Sequence, residues 1–330
     1  MEKYDTVLFT YPLVDMIVPF RGQFPVSSGK TYLIDTIVRE PGGPANIFIC
    51  GKRLGLNGLM VGYVGDDDYG KFIIESYQKE GLDTSGIGVV PRSETRKVVV
   101  LIDTEGKHSF LSMVEPIDKP LQDPERIIQE SKSVCISGYS LALESTREDC
   151  LRHLRIAITL GKPVFFDPGP LVDSIPMDSL QETITGSTVI IANDEEAEKM
   201  TSCASVEESA FQLSHLTNGM VVVKAGPKGC FVIAGPNQIG VWYKGFKVKA
   251  MDTTAAGDTF LSAVIYGYLS GFDVRTMAYF ANAVGAAKVK KIGSGSQVPE
   301  FDEIISVLED GGFVVPPVVK AQCSFQSLVL

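Results

Sequence analysis

The sequence has no cysteine pair in CxxC spacing, no run of about 18 uninterrupted apolar residues and no surplus of positive charge. Cys50, Cys135, Cys150, Cys203, Cys230 and Cys323 are scattered, which suggests neither a zinc site nor a redox pair and fits small buried hydrophobes. With 30 Lys and Arg against 40 Asp and Glu, the net charge of -10 disfavours a broad basic face for nucleic acid or anionic lipid. It does not disfavour a phosphorylated ligand, because backbone N–H groups hold an anion without net positive charge. Asp5 and Asp15 interrupt the first apolar stretches and no basic segment precedes them, so neither a secretory signal nor a membrane span is read and a cytoplasmic protein is expected.

What is present is a core. The 330 residues are 45% hydrophobic, enough for one large domain or a domain carrying a smaller one. Strand-length apolar runs recur at residues 6–11, 59–64, 98–102, 134–137, 164–166, 188–192, 220–224 and 230–234. Between several of them lie helix-length periodic stretches, at residues 45–54, 69–80, 143–160, 206–216, 257–270, 274–288 and 299–308. That alternation predicts an α/β fold with a mostly parallel sheet covered on both faces. It fails at residues 15–40 and 92–112, where strand-like pieces at 31–38 and 96–101 have no helix between them. Too small to stand alone, these two inserts are expected to meet as a small sheet beside the main domain.

The most informative segment is residues 251–268, MDTTAAGDTFLSAVIYGY. Ala255, Ala256 and Gly257 let the backbone turn tightly, and an apolar helix follows, so several first-turn amides are expected to point at one anion. Asp258 lies among them. A carboxylate near a helix N-terminus is favourable without any function. Beside a phosphate it can also accept a proton from an attacking hydroxyl while the amides hold phosphoryl oxygens, which accounts for the small residues as well.

At this point the chain resembles the ribokinase family of carbohydrate kinases, also called the pfkB family. DTTAAGD, from Asp252 to Asp258, is similar to that family's DTxGAGD signature, and further signatures follow family order over residues 4–310. The resemblance implies a ribokinase-like three-layer sandwich over residues 1–330, with a small β-sheet lid formed by residues 15–40 and 92–112. It implies Asp258 as catalytic base, with the amides of Ala255, Ala256 and Gly257 as anion hole. Residues 40–70, EPGGPANIFICGKRLGLNGLMVGYVGDDDYG, resemble the sugar-binding element and the VGxVGxDxxG signature. Read alone, they are tight turns before two helices. By resemblance, Asp15 and Asn46 bind acceptor hydroxyls and Gly42 and Gly43 let the substrate lie on the backbone. Pro41 departs from the family pattern and reshapes the pocket wall. Asp167, Pro168 and Gly169 resemble a DPNxR segment, but Leu171 replaces its Arg, which argues against an acidic sugar.

On the nucleotide side, Asn193 and Glu196 read as a capping box and equally resemble the family's NxxE motif for magnesium and phosphate. Lys224, Gly226 and Gly229 resemble the GxxG loop that admits ATP phosphates, and Asn282 lies on a helix that borders the nucleobase in the family. Asp252 and Thr254 resemble residues at a monovalent-cation site, which makes K+ a candidate beside ATP and Mg2+. The expected reaction is phosphotransfer from ATP to a primary hydroxyl of a sugar such as ribose or fructose. A nucleoside kinase of the same family is the alternative, and a sugar- or nucleotide-binding regulator would have no need of a base. The resemblance also implies a homodimer through the lid. The apolar tail, residues 313–319 and 325–330, is expected to dock on the core or on a partner.

Overall fold

Apolar runs alternating with amphipathic stretches build two sheets and two helical layers. The computed structural model describes residues 2–114, 117, 119 and 123–313. The first half of the chain forms β1 (Thr6–Phe9), β2 (Leu13–Pro19), β3 (Val38–Gly42), α1 (Ala45–Leu54), β4 (Gly58–Gly65), α2 (Asp68–Lys79) and β5 (Ile87–Val90). After these come β6 (Arg96–Ile102), β7 (His108–Ser112), α3 (Pro124–Gln129), β8 (Val134–Ser137), α4 (Gly138–Ala142) and α5 (Glu144–Thr159). The second half continues with β9 (Val164–Asp167), α6 (Met177–Gly186), β10 (Val189–Asn193), α7 (Asp194–Thr201), α8 (Val206–Leu216) and β11 (Met220–Lys224). It ends with β12 (Gly229–Ile233), β13 (Val241–Lys244), α9 (Ala256–Leu269), α10 (Val274–Lys288) and α11 (Phe301–Asp310).

Nine strands form the large sheet, in the order β13-β12-β11-β10-β9-β8-β1-β4-β5. Neighbours run parallel except β11 with β12 and β12 with β13. One face packs on α1, α2, α9, α10 and α11 around Ile49, Leu261, Val264 and Phe280. The other packs on α3 to α8 around Ile128, Leu141, Leu154, Ile184 and Leu213. Burying both faces explains why β9 to β11 read as unbroken apolar runs. The three-layer α/β sandwich is the expected fold.

The two inserts do meet. Strands β3, β2, β6 and β7 form a separate four-stranded sheet. The strand expected at residues 31–38 is displaced to β3, because the register that seats β2 pairs Leu13 with Gly42 and Ile17 with Val38. Before Val38 the expected stretch forms only a Phe20–Ile34 bridge, and Leu33 and Ile37 stay exposed. Asp15 consequently lies inside a lid strand and not just beyond the first strand of the large sheet. The helix expected at residues 143–160 is α5, and a short further helix, α4, precedes it, separated where Leu143 turns extended. Of the C-terminal tail only Phe313 is among the described residues, packed against Phe246 and Tyr279. Among the described residues no helix is long and apolar enough to cross a membrane.

Candidate active site

In an open parallel sheet the carboxyl ends of the strands face one crevice, where the strand order reverses. Here the order reverses at β1, which has β4 on one side and β8 on the other. The chain leaves β1 for the lid strand that carries Asp15, while Asp167, Asn193 and Lys224 end β9, β10 and β11. Helix α9 aims its N-terminus into the same crevice, with Asp258 in its first turn.

Asn46, in the first turn of α1, ties Gly43, Asp258 and Gly295 together. Its Nδ2 donates to Asp258 Oδ2 at 2.8 Å and to the Gly43 carbonyl at 3.0 Å, and its Oδ1 accepts the Gly295 amide at 2.7 Å. Asn46 thus spends both amide hydrogens and one lone pair of Oδ1 within the protein, and it orients Asp258. Asp15 is buried, accepts from Ser294 Oγ at 3.3 Å and is held by the Gly43 amide. A Cβ on Gly42 would come within 2.2 Å of the Asp15 carboxyl carbon, so glycine is needed there to seat the carboxylate. Burial pushes the Asp15 carboxyl up to about 7, against its two hydrogen bonds. Asp258 is also pushed up to about 7, first by burial and then by the Asp167 charge, with Asn46 and Lys224 opposing.

The expected anion turn forms with one modification. Ala255 takes the left-handed conformation at φ 62° and caps α9. The Ala256 amide turns inward to the Thr253 carbonyl at 3.2 Å, leaving the amides of Ala255, Gly257 and Asp258 without an acceptor among the described residues. Asp252 braces this turn: it accepts from the Thr254 amide at 2.9 Å, from Thr254 Oγ1 at 2.7 Å and from the Gly293 amide at 2.7 Å. His108 of the lid places Nε2 at 3.3 Å from Asp252 Oδ1, and these bonds together hold the Asp252 carboxyl well below the usual carboxylate range despite its burial.

A cavity of about 420 Å³ adjoins the turn, lined by Asn193, Lys224, Gly226, Gly257 and Asn282 among others. The loop that bounds it turns at Gly226 and Gly229, with φ 52° and 100°. A Cβ at Gly229 would come within 2.1 Å of the Tyr243 carbonyl. Lys224 lies close to the turn, its Nζ 3.3 Å from where a Cβ on Gly257 would stand. Asn282 spends its Nδ2 on the Tyr243 and Lys244 carbonyls at 3.0 and 3.3 Å, so it fixes the end of β13 beside the cavity.

Asn193 and Glu196 form the full capping box: Glu196 N donates to Asn193 Oδ1 at 2.7 Å and Asn193 N donates to Glu196 Oε2 at 2.8 Å. Burial, with Asp167 adding, raises the Glu196 carboxyl while Lys224 lowers it. Among the described residues, no three His, Cys, Asp or Glu side chains gather as a metal cage. These scattered carboxylates fit a magnesium ion held mainly by phosphates and water.

Sequence reasoning missed several groups. Arg96 is buried on the lid, paired with Leu13 and two pairs along from Asp15 opposite Val98, so it shares Asp15's face. It places a buried cation on the face of Asp15, where Leu171 had removed the one expected from the resemblance. Tyr139 follows β8 among Asp258, Asp167, Asp15 and Arg96, with burial raising its hydroxyl. Neither an arginine just ahead of an unbroken apolar run nor an isolated Tyr carries a signal of this placement. Asp67, within the VGxVGxDxxG segment, caps α2 and ties Thr95, which fits its reading as an ordinary turn.

Comparison with known proteins accords with this geometry. The profile described as pfkB family carbohydrate kinase matches residues 17–300. A probable fructokinase-3 from Arabidopsis thaliana is 28% identical, over 94% of this chain and 92% of its own. A 5-dehydro-2-deoxygluconokinase from Bacillus velezensis is also 28% identical, over 81% of this chain and 84% of its own. Among solved structures, Arabidopsis thaliana ribokinase complexed with ribose and ATP shares the fold with a TM-score of 0.78 at 21% identity, covering 93% of this chain and 99% of that one.

Proposed function

Because this chain belongs to the pfkB family of carbohydrate kinases, we propose that it moves the γ-phosphoryl group of ATP to a primary hydroxyl of a sugar such as ribose or fructose, with Asp258 as general base. The observation that carries this reading is the 2.8 Å bond from Asn46 to Asp258 Oδ2, beside open first-turn amides. Asn46 fixes one carboxylate oxygen and leaves the other for the attacking hydroxyl. The acceptor lies against Gly42 and Gly43, with Asp15 receiving its neighbouring hydroxyls. Asp258 takes the hydroxyl proton as the oxygen bonds phosphorus, and the bond to the ADP oxygen breaks in line. The amides of Ala255, Gly257 and Asp258 meet the charge on the transferring group, and ATP lies in the adjoining cavity with its phosphates near Gly226, Gly229 and Lys224. Magnesium, when bound, neutralises phosphate charge, and Glu196 and Asn193 would order its water. Closing the lid excludes water as a competing acceptor.

Arg96, on Asp15's face with one guanidinium nitrogen donating to Ser112 Oγ at 3.3 Å, favours a second reading, an acceptor that carries a carboxylate, since a buried cation there offsets that charge. The test is product mass detection with ATP and magnesium across ribose, fructose, a keto-deoxy sugar acid, adenosine, cytidine and inosine. A phosphorylated neutral sugar supports the main reading, and a phosphorylated sugar acid the second. A product from nucleosides alone refutes both while keeping the role of Asp258. Exposed apolar residues Leu33, Ile37, Phe110 and Leu111 on or near the lid support its pairing with a second copy.

A further inference from the structure

Lys288 ends α10 with its side chain fully buried. Burial disfavours an ammonium, so such a lysine is uncommon unless charge around it compensates. Here Nζ donates to the Lys291 carbonyl at 3.1 Å, and Asp252 and Asp258 both attract its charge. The ammonium therefore sits inside the loop of residues 288–293. That loop accepts the Met251 and Asp252 amides on the Val289 carbonyl and donates the Gly293 amide to Asp252. It is the brace behind the anion turn.

The groups around Asp252 fit a monovalent cation poorly. Three donors crowd Asp252 Oδ1, the amide and hydroxyl of Thr254 and His108 Nε2, and the Gly293 amide takes Oδ2, so the carboxylate is largely spent on its neighbours. The Lys291 carbonyl, an oxygen of the kind that would ligate such an ion, already accepts from Lys288. An ammonium has the charge and about the size of potassium. We infer that the Lys288 ammonium supplies the fixed positive charge behind the anion turn, so that phosphotransfer in this chain needs no bound potassium. Lys288 is a positioning residue: it acts through Asp252 and its loop and does not touch the reacting groups. The catalytic part of this inference rests on the phosphotransfer reading; its cation part does not.

The test compares the wild-type protein with Lys288→Met, which keeps the aliphatic stem and leaves a gap where the ammonium stood. Both are melted, and assayed for turnover, in tetramethylammonium, potassium and ammonium chloride at matched ionic strength. Wild-type Tm and kcat are expected to be indifferent to the cation. In tetramethylammonium K288M should lose roughly 10–100-fold in kcat, as expected when a preorganised charge is removed. Potassium or ammonium should selectively restore its Tm and turnover. Selective stabilisation of the wild type by potassium overturns the inference, as does a K288M protein indifferent to cation identity. If K288M does not fold, Lys288→Arg takes its place: it keeps the charge and should retain cation-independent melting, and selective stabilisation by potassium would overturn the inference. A chain inactive on every acceptor counts against the phosphotransfer reading alone, since melting still decides the role of Lys288.

Discussion

The two halves of the cleft are made of different material. On the acceptor side, side chains hold side chains: Asn46 grips Asp258, Ser294 donates to Asp15, and Gly42 is small because Asp15 lies against it. On the side proposed for the nucleotide the backbone does most of the work, through first-turn amides of α9 and two left-handed glycines of the 226–229 loop. A site built from side chains discriminates among substrates and is lost with single atoms. A site built from backbone tolerates side-chain change and fails when a Cβ is added. The comparison can be broken from either half.

The largest effect is expected at the seam. Asp258→Asn keeps the shape and the Asn46 contact region but removes the base, and should lower kcat by roughly 10³-fold, within the range for a general base. ATP affinity, read by calorimetry, should change little, because the amides remain. Equal losses in kcat and ATP affinity would mean that the two halves are not separable.

Next in size is a pH effect. With their carboxyls near 7, Asp258 must lose a proton to act and Asp15 to receive hydroxyls, so kcat/KM should fall about ten- to a hundredfold per pH unit below that value. Stability runs the other way. Asp258 binds its proton more tightly folded than unfolded, about 7 against 3.8, so its stabilising contribution is complete below 3.8 and is lost as pH rises through 7. Melting at pH 8 should therefore show D258N more stable than wild type, although it is nearly inactive. A flat acid limb would remove Asp258 from the role of base.

Two glycines sharpen the comparison further. Gly42→Ala puts a methyl on the Asp15 carboxyl, and Gly229→Ala puts one on the Tyr243 carbonyl at φ 100°. Each should cost about 1–3 kcal/mol in stability, as overpacking does. Their kinetics should divide, G42A raising KM for the acceptor alone and G229A raising KM for ATP alone. Both variants raising both constants would show the halves to be mechanically coupled.

The same division explains what was legible beforehand. Glycines, small residues and first-turn acids are local signals, so the turn at residues 252–258, the loop at Gly226 and Gly229 and the helices α1, α8 and α10 could be read from spacing alone. Contacts between side chains far apart in sequence could not. Nothing near Asn46 signals its bond to Gly295, and nothing near Lys288 signals that it is buried with its Nζ on the Lys291 carbonyl. Strand β3 was misplaced because its position follows from its register with β2, a non-local property.

Ala255 is where the two kinds of construction meet, and the effect there is the smallest. An L-residue in the left-handed region costs roughly 1–2 kcal/mol, and Ala255 holds φ 62° at the cap of α9. Ala255→Gly removes that strain but returns up to about 1 kcal/mol of unfolded-chain entropy. The net should be a gain below about 1 kcal/mol, or a Tm rise of roughly 2–4 °C at most. Should Tm rise with KM for ATP unchanged, the Asp252 brace alone aims the amides, and the backbone of this half needs only room. Should KM for ATP rise as well, the alanine methyl is itself part of how the turn is held, and the nucleotide side depends on a side chain after all. A fall in Tm would mean that Ala255 is not strained, and the turn would have to be explained by contacts of its methyl group.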